Sequence, residues 1–287
     1  MSLSAEQLAS FHQDGFLVIR GLLGGTELRA LQADTLRLVE TAAQGSVDPD
    51  FKYREHELTG ESVPYRIEYV VAKTASCKAL LGHPFVLRAV EQLQDRFFIP
   101  TWDSMVFKQA GAGAAIAWHR DASMEYVADR PIFNVDIYLD PSDRTNCLWA
   151  LPGSQEWSDR DATRAVEELS RGGFRTEGAT PLELAPGDVL LHNILTVHGS
   201  PPAQSGLRRV IYLEFRPIDV ELALGPHVPE YVPLKQRVLL AALAERARAP
   251  YAAGEERFVY RAAPTTPASA AAIEWRVPHE QYWRTAA

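Results

Sequence analysis

The sequence has little cysteine, with only Cys77 and Cys147 among 287 residues. Two cysteines are too few for a disulfide framework, and neither has a second cysteine at a metal-ligand spacing. A stapled secreted domain and a cysteine-based zinc site are therefore both disfavoured, and we expect a protein of a reducing cytoplasm.

Long hydrophobic runs are also missing. No uninterrupted apolar stretch approaches the roughly 20 residues of a membrane span. The first residues, Met1 to Leu8, include neither the basic nor the apolar segment of a secretory signal. We expect neither a membrane anchor nor a cleaved leader.

Basic residues are outnumbered and scattered. The chain has 29 Lys and Arg against 37 Asp and Glu, a formal net charge of -8, and no basic stripe that would follow a phosphate backbone. Nucleic acid is therefore an unexpected partner, and a small-molecule substrate is expected instead. The oligomeric state is left open.

Short β-strands separated by turn residues dominate the middle of the chain. Such strands predict a sandwich or barrel rather than βαβ units, and helices at both ends predict an antiparallel barrel with helical flanks. We interpret the chain as one domain, with a polar loop near the surface at 45–62 and a loosely ordered tail at 262–272. The predicted helices cover 4–14, 26–43, 83–94, 159–171 and 233–248, and the predicted strands cover 16–19, 104–108, 115–119, 132–139, 147–151, 182–184, 188–192 and 209–215.

The pattern His-x-Asp occurs twice. His12 and Asp14 end a predicted helix, where a two-residue step turns the side chains about 200° apart. His119 and Asp121 leave the end of a predicted strand, where side chains two apart share a face. Only the second pair is placed to bind one metal ion.

A second histidine from a distant strand would complete two imidazoles and one carboxylate, the ligand set of non-haem Fe(II) oxygenases. His192 and His198 compete for this position. His192 lies within an apolar run, which favours a packed strand residue, whereas small residues follow His198. Arg208, ten residues further on, begins a strand and offers a two-pronged partner for a carboxylate.

Several motifs in a fixed order resemble the phytanoyl-CoA dioxygenase family of Fe(II)/2-oxoglutarate oxygenases, over about residues 4–217. They are the Leu-x-x-Phe-x-x-Asp-Gly-Phe-Leu-Val-Ile opening from Leu8, Phe107-Lys-x-x-Gly-x-Gly, Trp118-His-x-Asp121, Asn146-Cys-Leu-Trp-Ala-Leu-Pro-Gly-Ser154, Gly187-Asp188 and His198-Gly-Ser200 with the arginine after it. The resemblance implies a mainly β protein with flanking helices and a double-stranded β-helix (jelly-roll, cupin-like) core at about 101–217. A helical part at about 1–100 would precede this core, and a helical extension at about 218–287 would follow it.

The resemblance also implies the site. His119, Asp121 and His198 match the iron ligands, Arg208 matches the residue that grips the far carboxylate of 2-oxoglutarate, and Ser200 can hydrogen-bond the same carboxylate. Lys108 stands at another family-typical position. The implied reaction uses O2 to oxidise, by default to hydroxylate, a C–H bond of a small metabolite, with 2-oxoglutarate converted to succinate and CO2.

Some alternatives stay open from the sequence. The loop after His198 is about one residue short, so Arg209 competes with Arg208. Asn134, Tyr138 and Trp149 are candidates for the substrate pocket, with 45–62 and the segment after Pro217 as candidate lids. A carboxylate at Asp121 disfavours halogenation, because related halogenases have a small residue there. A cupin-like metal enzyme without 2-oxoglutarate and a non-catalytic barrel are the competing classes.

Overall fold

The structure is a computed structural model that describes residues 2–56, 59–111, 114–127, 129–204, 206–262 and 273–284. Nearly all of the predicted tail at 262–272 lies outside the described residues. Among the helices of the described part, none is both long and apolar enough to cross a membrane.

Two antiparallel sheets form the framework. Within the described residues, the larger sheet has seven strands in the order β1-β9-β6-β11-β4-β3-β2, and the smaller has four in the order β5-β10-β7-β8. Every pairing is antiparallel, which is the pattern of a jelly roll. The strands are β1 (Phe16–Ile19), β2 (Phe51–Glu55), β3 (Ser62–Glu68), β4 (Phe98–Gln109), β5 (Ile116–His119), β6 (Phe133–Tyr138), β7 (Leu148–Ala150), β8 (Thr180–Leu182), β9 (Val189–Asn193), β10 (His198–Ser200) and β11 (Leu207–Pro217).

Side chains alternate between two faces along the central strands β4, β6, β9 and β11. The odd-numbered residues join the main hydrophobic core, for example Met105, Val135 and Ile211. The even-numbered residues face the space between the two sheets, and they include most of the polar groups of these strands. Because a strand has a period of two, the odd-numbered residues pack in the core and the even-numbered residues line the site.

Helices cover the outer face of the larger sheet. Helix α1 begins with a capping box between Ser4 and Gln7 and ends at Gly15, whose φ of 79° is the left-handed conformation that glycine favours. The apolar faces of α2, α4, α5 and α8 complete the main core. The helices are α1 (Ala5–Asp14), α2 (Gly25–Ala43), α3 (Val70–Lys73), α4 (Ala75–Leu81), α5 (Pro84–Gln94), α6 (Asp159–Gly172), α7 (Ile218–Leu224) and α8 (Tyr231–Arg248).

The main correction concerns 45–62, which the sequence predicts to be a loop. Strand β2 begins inside it and pairs with β3 at the edge of the larger sheet. The part before residue 101 is therefore not only helical, because β1, β2 and β3 all belong to the sheet. Strand β2 was not predicted because it is a short edge strand in which three of the five residues are charged, and a bulge interrupts its pairing at Lys52/Tyr53.

Candidate active site

The predicted His-x-Asp pair and the distal histidine meet between the two sheets. His119 ends β5, His198 begins β10, and these two residues are directly paired across the antiparallel ladder. Asp121 follows two residues after His119. Its Oδ1 lies 3.3 Å from His119 Nε2 and 3.8 Å from His198 Nε2. One donor atom from each of the three side chains lies within 4.8 Å of the others.

The second nitrogen of each imidazole orients the ring. His119 Nδ1 lies 2.8 Å from the Ala117 carbonyl oxygen, and His198 Nδ1 lies 2.8 Å from the Thr196 carbonyl oxygen. A carbonyl can only accept, so the proton is on Nδ1 and the lone pair of Nε2 points to the centre of the cluster. This is the arrangement that metal-bound histidines need. The residues therefore fit a divalent metal ion of the facial-triad type.

The charges of the cluster agree with this fit. Burial lowers the pKa of His198 to about 3, so its imidazole is neutral at neutral pH. Burial alone would raise the pKa of Asp121, but the imidazoles of His198 and His119 hold that pKa well below its usual value. A neutral imidazole beside an ionised carboxylate is the protonation state that binds a metal ion.

His192, the competing histidine, has a different role. Its Nδ1 lies 2.8 Å from Asp136 Oδ2, and its Nε2 lies 3.2 Å from Asp121 Oδ2. Burial opposes protonation, but the two carboxylates raise the pKa of His192 to about 10. A protonated imidazole has no lone pair for a metal ion, so His192 supports Asp121. Asn134 Nδ2 donates to the same Asp121 oxygen at 3.1 Å.

The other candidate clusters in the described residues do not resemble a metal site. His12 and Asp14 do not belong to any cluster of three possible ligands there. Glu27, His83 and Glu255 do form a cluster, but the Arg246 guanidinium donates to both carboxylates. An arginine already supplies the positive charge that a metal ion would bring.

Two cations are buried deeper between the sheets. Lys108 on β4 pairs with Arg208 on β11, and both are 2% exposed. Lys108 Nζ donates to Ser200 Oγ at 2.7 Å and to the Pro201 carbonyl at 2.6 Å. Arg208 Nη2 donates to the Tyr138 hydroxyl at 3.4 Å, while its buried Nε has no hydrogen-bond partner in the described part of the chain.

This pair has no carboxylate counter-ion among the described side chains that bond to it. Burial and the charge of Arg208 lower the pKa of Lys108 to about 6. A buried guanidinium without an anion is costly, and an orphaned guanidinium N–H indicates a missing acceptor. The arrangement fits a bound carboxylate.

Arg209 lies on the opposite face of β11. Its guanidinium makes a two-pronged ion pair with Asp140, with Nε–Oδ2 and Nη2–Oδ1 distances of 2.7 Å each. It also donates to the Gln32 carbonyl of α2 at 2.7 Å. Arg209 therefore attaches a helix to the sheet, and Arg208 is the arginine that faces the site.

A cavity of about 360 Å³ opens from the triad toward the other end of the sheets. Its wall crosses four neighbouring strands, β3, β4, β11 and β6, in that order. The polar residues of this wall are Arg66, Trp102, Ser104, Arg120, Tyr212, Glu214 and Asn134, together with the triad and His192. Of the three pocket candidates from the sequence, Asn134 lines this cavity and Tyr138 lies at the buried cation pair.

Residues 11–211 match the phytanoyl-CoA dioxygenase (PhyH) family. The chain belongs to this family. As a member, it is a non-haem Fe(II)- and 2-oxoglutarate-dependent dioxygenase with a jelly-roll core.

The individual relatives have low sequence identity to this chain, but each match covers most of it. A protein of Stutzerimonas stutzeri, named probable alpha-ketoglutarate-dependent hypophosphite dioxygenase, is 24% identical over 219 residues, which are 71% of this chain and 75% of the relative. The solved structure of AviO1 from Streptomyces viridochromogenes Tue57 is 27% identical with a TM-score of 0.64, covering 74% of this chain and 94% of AviO1. EvdMO1 is equally similar, at 27% and 0.64, but the match covers 74% of this chain and only 49% of EvdMO1.

Trp149 is not in the cavity of this dioxygenase. It lies on β7 with the opposite parity to Leu148, which lines the cavity, and it packs under α6 with Trp118 and Val166. Three further residues of the cavity, Arg66, Trp102 and Glu214, were not predicted from the sequence. Their signal was weak, since Arg66 lies on the unpredicted β3 and Trp102 precedes the predicted start of its strand.

Proposed function

We propose that His119, Asp121 and His198 hold the Fe(II) ion, and that the enzyme hydroxylates an unactivated C–H bond of a small organic metabolite while 2-oxoglutarate becomes succinate and CO2. The observation that supports this most is the convergence of two Nε2 lone pairs and one carboxylate in the wall of a cavity. Three ligands on one side leave the remaining metal positions open toward that cavity.

Lys108, Arg208 and Ser200 are proposed to bind the far carboxylate of 2-oxoglutarate. The carboxylate would accept from the Arg208 Nε–H and balance the charge of that guanidinium, and the Lys108 amine and the Ser200 hydroxyl lie within the same group. A two-pronged guanidinium contact orients as well as binds its partner. The cosubstrate would therefore extend from the cation pair toward the triad.

The bound metal supplies the activation of O2 coupled to decarboxylation of the cosubstrate. The chain itself contributes geometry and exclusion of water. Backbone carbonyls fix both imidazoles, while His192 and Asn134 hold the Asp121 carboxylate. A carboxylate at Asp121 fills the position that a halide would need, which supports hydroxylation over halogenation.

We also infer a single catalytic domain working in the cytoplasm. The sequence-matched region, 11–211, ends within β11, and α7 and α8 pack back on the same sheet. Cys77 and Cys147 are free, buried thiols, which suits a reducing compartment.

Replacement of His198 tests the proposal. We expect His198→Ala to lose most of its bound iron, because one of three ligands is gone. Its rate of 2-oxoglutarate-dependent succinate release should fall at least 100-fold. His12→Ala, in the other His-x-Asp pair, is the matched control. Iron per chain is measured by elemental analysis, and cosubstrate binding by the visible charge-transfer band that forms when 2-oxoglutarate is added anaerobically to the Fe(II) protein.

Two results would contradict the proposal. Full iron content and turnover in His198→Ala would remove His198 from the ligand set. A wild-type protein that holds iron but gives no band with 2-oxoglutarate would instead indicate a cupin-like metal enzyme that does not use this cosubstrate.

A further inference from the structure

The cavity wall contains two ion pairs, and each of them keeps unused polar atoms. The first is Glu214, at 8% exposed, on β11. Its Oε1 accepts from the Thr101 hydroxyl at 2.6 Å and from Arg216 Nε at 2.8 Å. Within the described ranges its Oε2 has no hydrogen-bond partner, and this oxygen is not among the fully enclosed atoms. Glu214 therefore presents one fixed acceptor to the cavity.

The second ion pair is Arg66 with Glu68 on β3. Arg66 Nε lies 2.8 Å from Glu68 Oε1, and Arg66 Nη2 donates to Ser104 Oγ at 3.2 Å. Glu68 Oε2 accepts from the Trp102 indole N–H at 2.7 Å, and the guanidinium lies 4.1 Å above the Trp102 ring. Nη1 has no partner among the described residues. The Arg66 Nε–H lies near Glu68 but makes no hydrogen bond of acceptable geometry within the described residues. Arg66 thus keeps Nη1 as a donor for the cavity.

Two neutral groups lie between these ion pairs and the triad. The Tyr212 hydroxyl has no hydrogen-bond partner in the described part of the chain, and burial raises its pKa well above the usual value, so it stays a neutral donor. Asn134 uses its amide N–H on Asp121, which leaves its carbonyl oxygen as an acceptor. The wall therefore presents both donors and acceptors.

The charges of this wall are already balanced. Arg216 neutralises Glu214, and Glu68 neutralises Arg66. A further charged residue of the wall, Arg120, pairs with Asp159 at 3.3 Å. An anionic substrate would bind beside the Glu214 carboxylate, and a cationic one beside the Arg66 guanidinium, so either would suffer repulsion in a partly desolvated cavity. Groups that both donate and accept without carrying charge match both sites.

We propose that the substrate is a neutral, polyhydroxylated compound, such as a sugar or a cyclitol, held by Glu214 and Arg66. This inference rests on the proposed function and specifies its substrate. A hydroxyl can donate to Glu214 Oε2 while its neighbour accepts from Arg66 Nη1. Glu214 pairs directly with Asn134, which touches the ligand Asp121. A compound bound to this wall therefore lies beside the triad.

A matched set of ligands tests the charge argument. Methyl glucoside and myo-inositol serve as neutral probes, glucosamine as the ammonium analogue and glucuronate as the carboxylate analogue. Binding is measured by calorimetry on the Fe(II) protein with 2-oxoglutarate under anaerobic conditions. We expect a neutral probe to bind at least 10-fold more tightly than both charged analogues.

Variants test the two residues. Glu214→Gln and Arg66→Met should each weaken binding of the preferred neutral probe about 10-fold or more, because a fixed charged partner is lost. The exposed pair Arg144 and Glu183 offers matched controls, Glu183→Gln and Arg144→Met, which should leave binding unchanged.

Three results would overturn this assignment: a charged analogue binds best, no neutral probe binds, or the two wall variants bind like the controls. The charge-transfer band with 2-oxoglutarate is recorded before any sugar is added. If the band forms and the sugars fail, the substrate assignment alone is wrong. If the band is absent, the proposed function fails first.

Discussion

At the scale of the residue, the role of each histidine in the site depends on what its second ring nitrogen contacts. His119 and His198 each give one nitrogen to a backbone carbonyl and keep the other for the centre of the cluster. His192 lies between two carboxylates and supports them. The sequence favoured His198 over His192 from its small neighbours, but the two carboxylates around His192 come from other segments and were not visible in it.

Lys108 offers a pH-dependent prediction. Because burial and Arg208 lower its pKa from 10.5 to about 6, the amine is neutral in the folded protein above this pH but protonated in the unfolded chain. The unfolded state then binds more protons, so the free energy of unfolding rises with pH between these two values. In the wild type, this rise in the free energy of unfolding should be roughly 1–3 kcal/mol between pH 6.5 and 8.5. We expect Lys108→Met to lack it.

Urea unfolding of the metal-free protein at both pH values measures the effect. Lys52→Met, at a half-buried edge-strand position, is the control and should keep the wild-type pH dependence. The same slope in wild type and Lys108→Met would mean that the buried amine stays protonated.

At the scale of the element, the turn before a strand fixes which residues of that strand face inward. Gly187 precedes β9 with a φ of 90°, and its N–H donates to the Tyr138 carbonyl at 2.8 Å. Its carbonyl accepts from Leu23 N–H at 3.0 Å. This turn ties the end of β6 and the loop after β1 to the start of the strand that contains His192.

We expect Gly187→Ala to be strongly destabilising. A Cβ there would lie 2.1 Å from the Leu23 carbonyl oxygen, so the backbone must move in addition to the strain of a positive φ. Gly178→Ala is the matched control, since Gly178 also has a positive φ, 84°, but opens onto empty space. The control should cost about 1 kcal/mol and Gly187→Ala at least about 2 kcal/mol more in thermal or urea unfolding. Equal costs would show that the turn relaxes freely.

At the scale of the whole molecule, the C-terminal segment 273–284 joins parts of the chain that are far apart in sequence. Arg276 makes a two-pronged ion pair with Asp50, at 2.7 Å, beside β2. The Tyr69 hydroxyl donates to Glu280 at 2.6 Å and accepts from the His279 N–H at 3.0 Å. The His279 ring packs on Trp102 with centroids 5.6 Å apart, so the segment supports the wall of the cavity from outside.

We expect Tyr69→Phe to loosen this segment locally. Loss of two hydrogen bonds of about 1 kcal/mol each should raise the population of the open segment roughly 10-fold or more. Limited trypsin digestion, followed by mass spectrometry at Arg276 and Arg284, measures the change. Tyr126→Phe, in a surface turn, is the control. Cleavage at the wild-type rate would mean that the other contacts of the segment, such as Arg276–Asp50 and Val228 N–H to the Tyr282 carbonyl, are enough to fix it.

The sequence by itself determined the features that depend on spacing along one helix or strand: the His119/Asp121 pair and the rejection of His12/Asp14. These follow because neighbouring residues obey the period of their own element, whatever the rest of the chain does. The sequence left Arg208 and Arg209 as alternatives, and the opposite faces of β11 separate them. Only the tertiary structure decided which polar residues share the cavity, placed Trp149 under α6, and brought Arg66 and Glu214 onto one wall. Those relations depend on the pairing of strands from distant parts of the chain, and strand pairing is set by burial across the whole molecule.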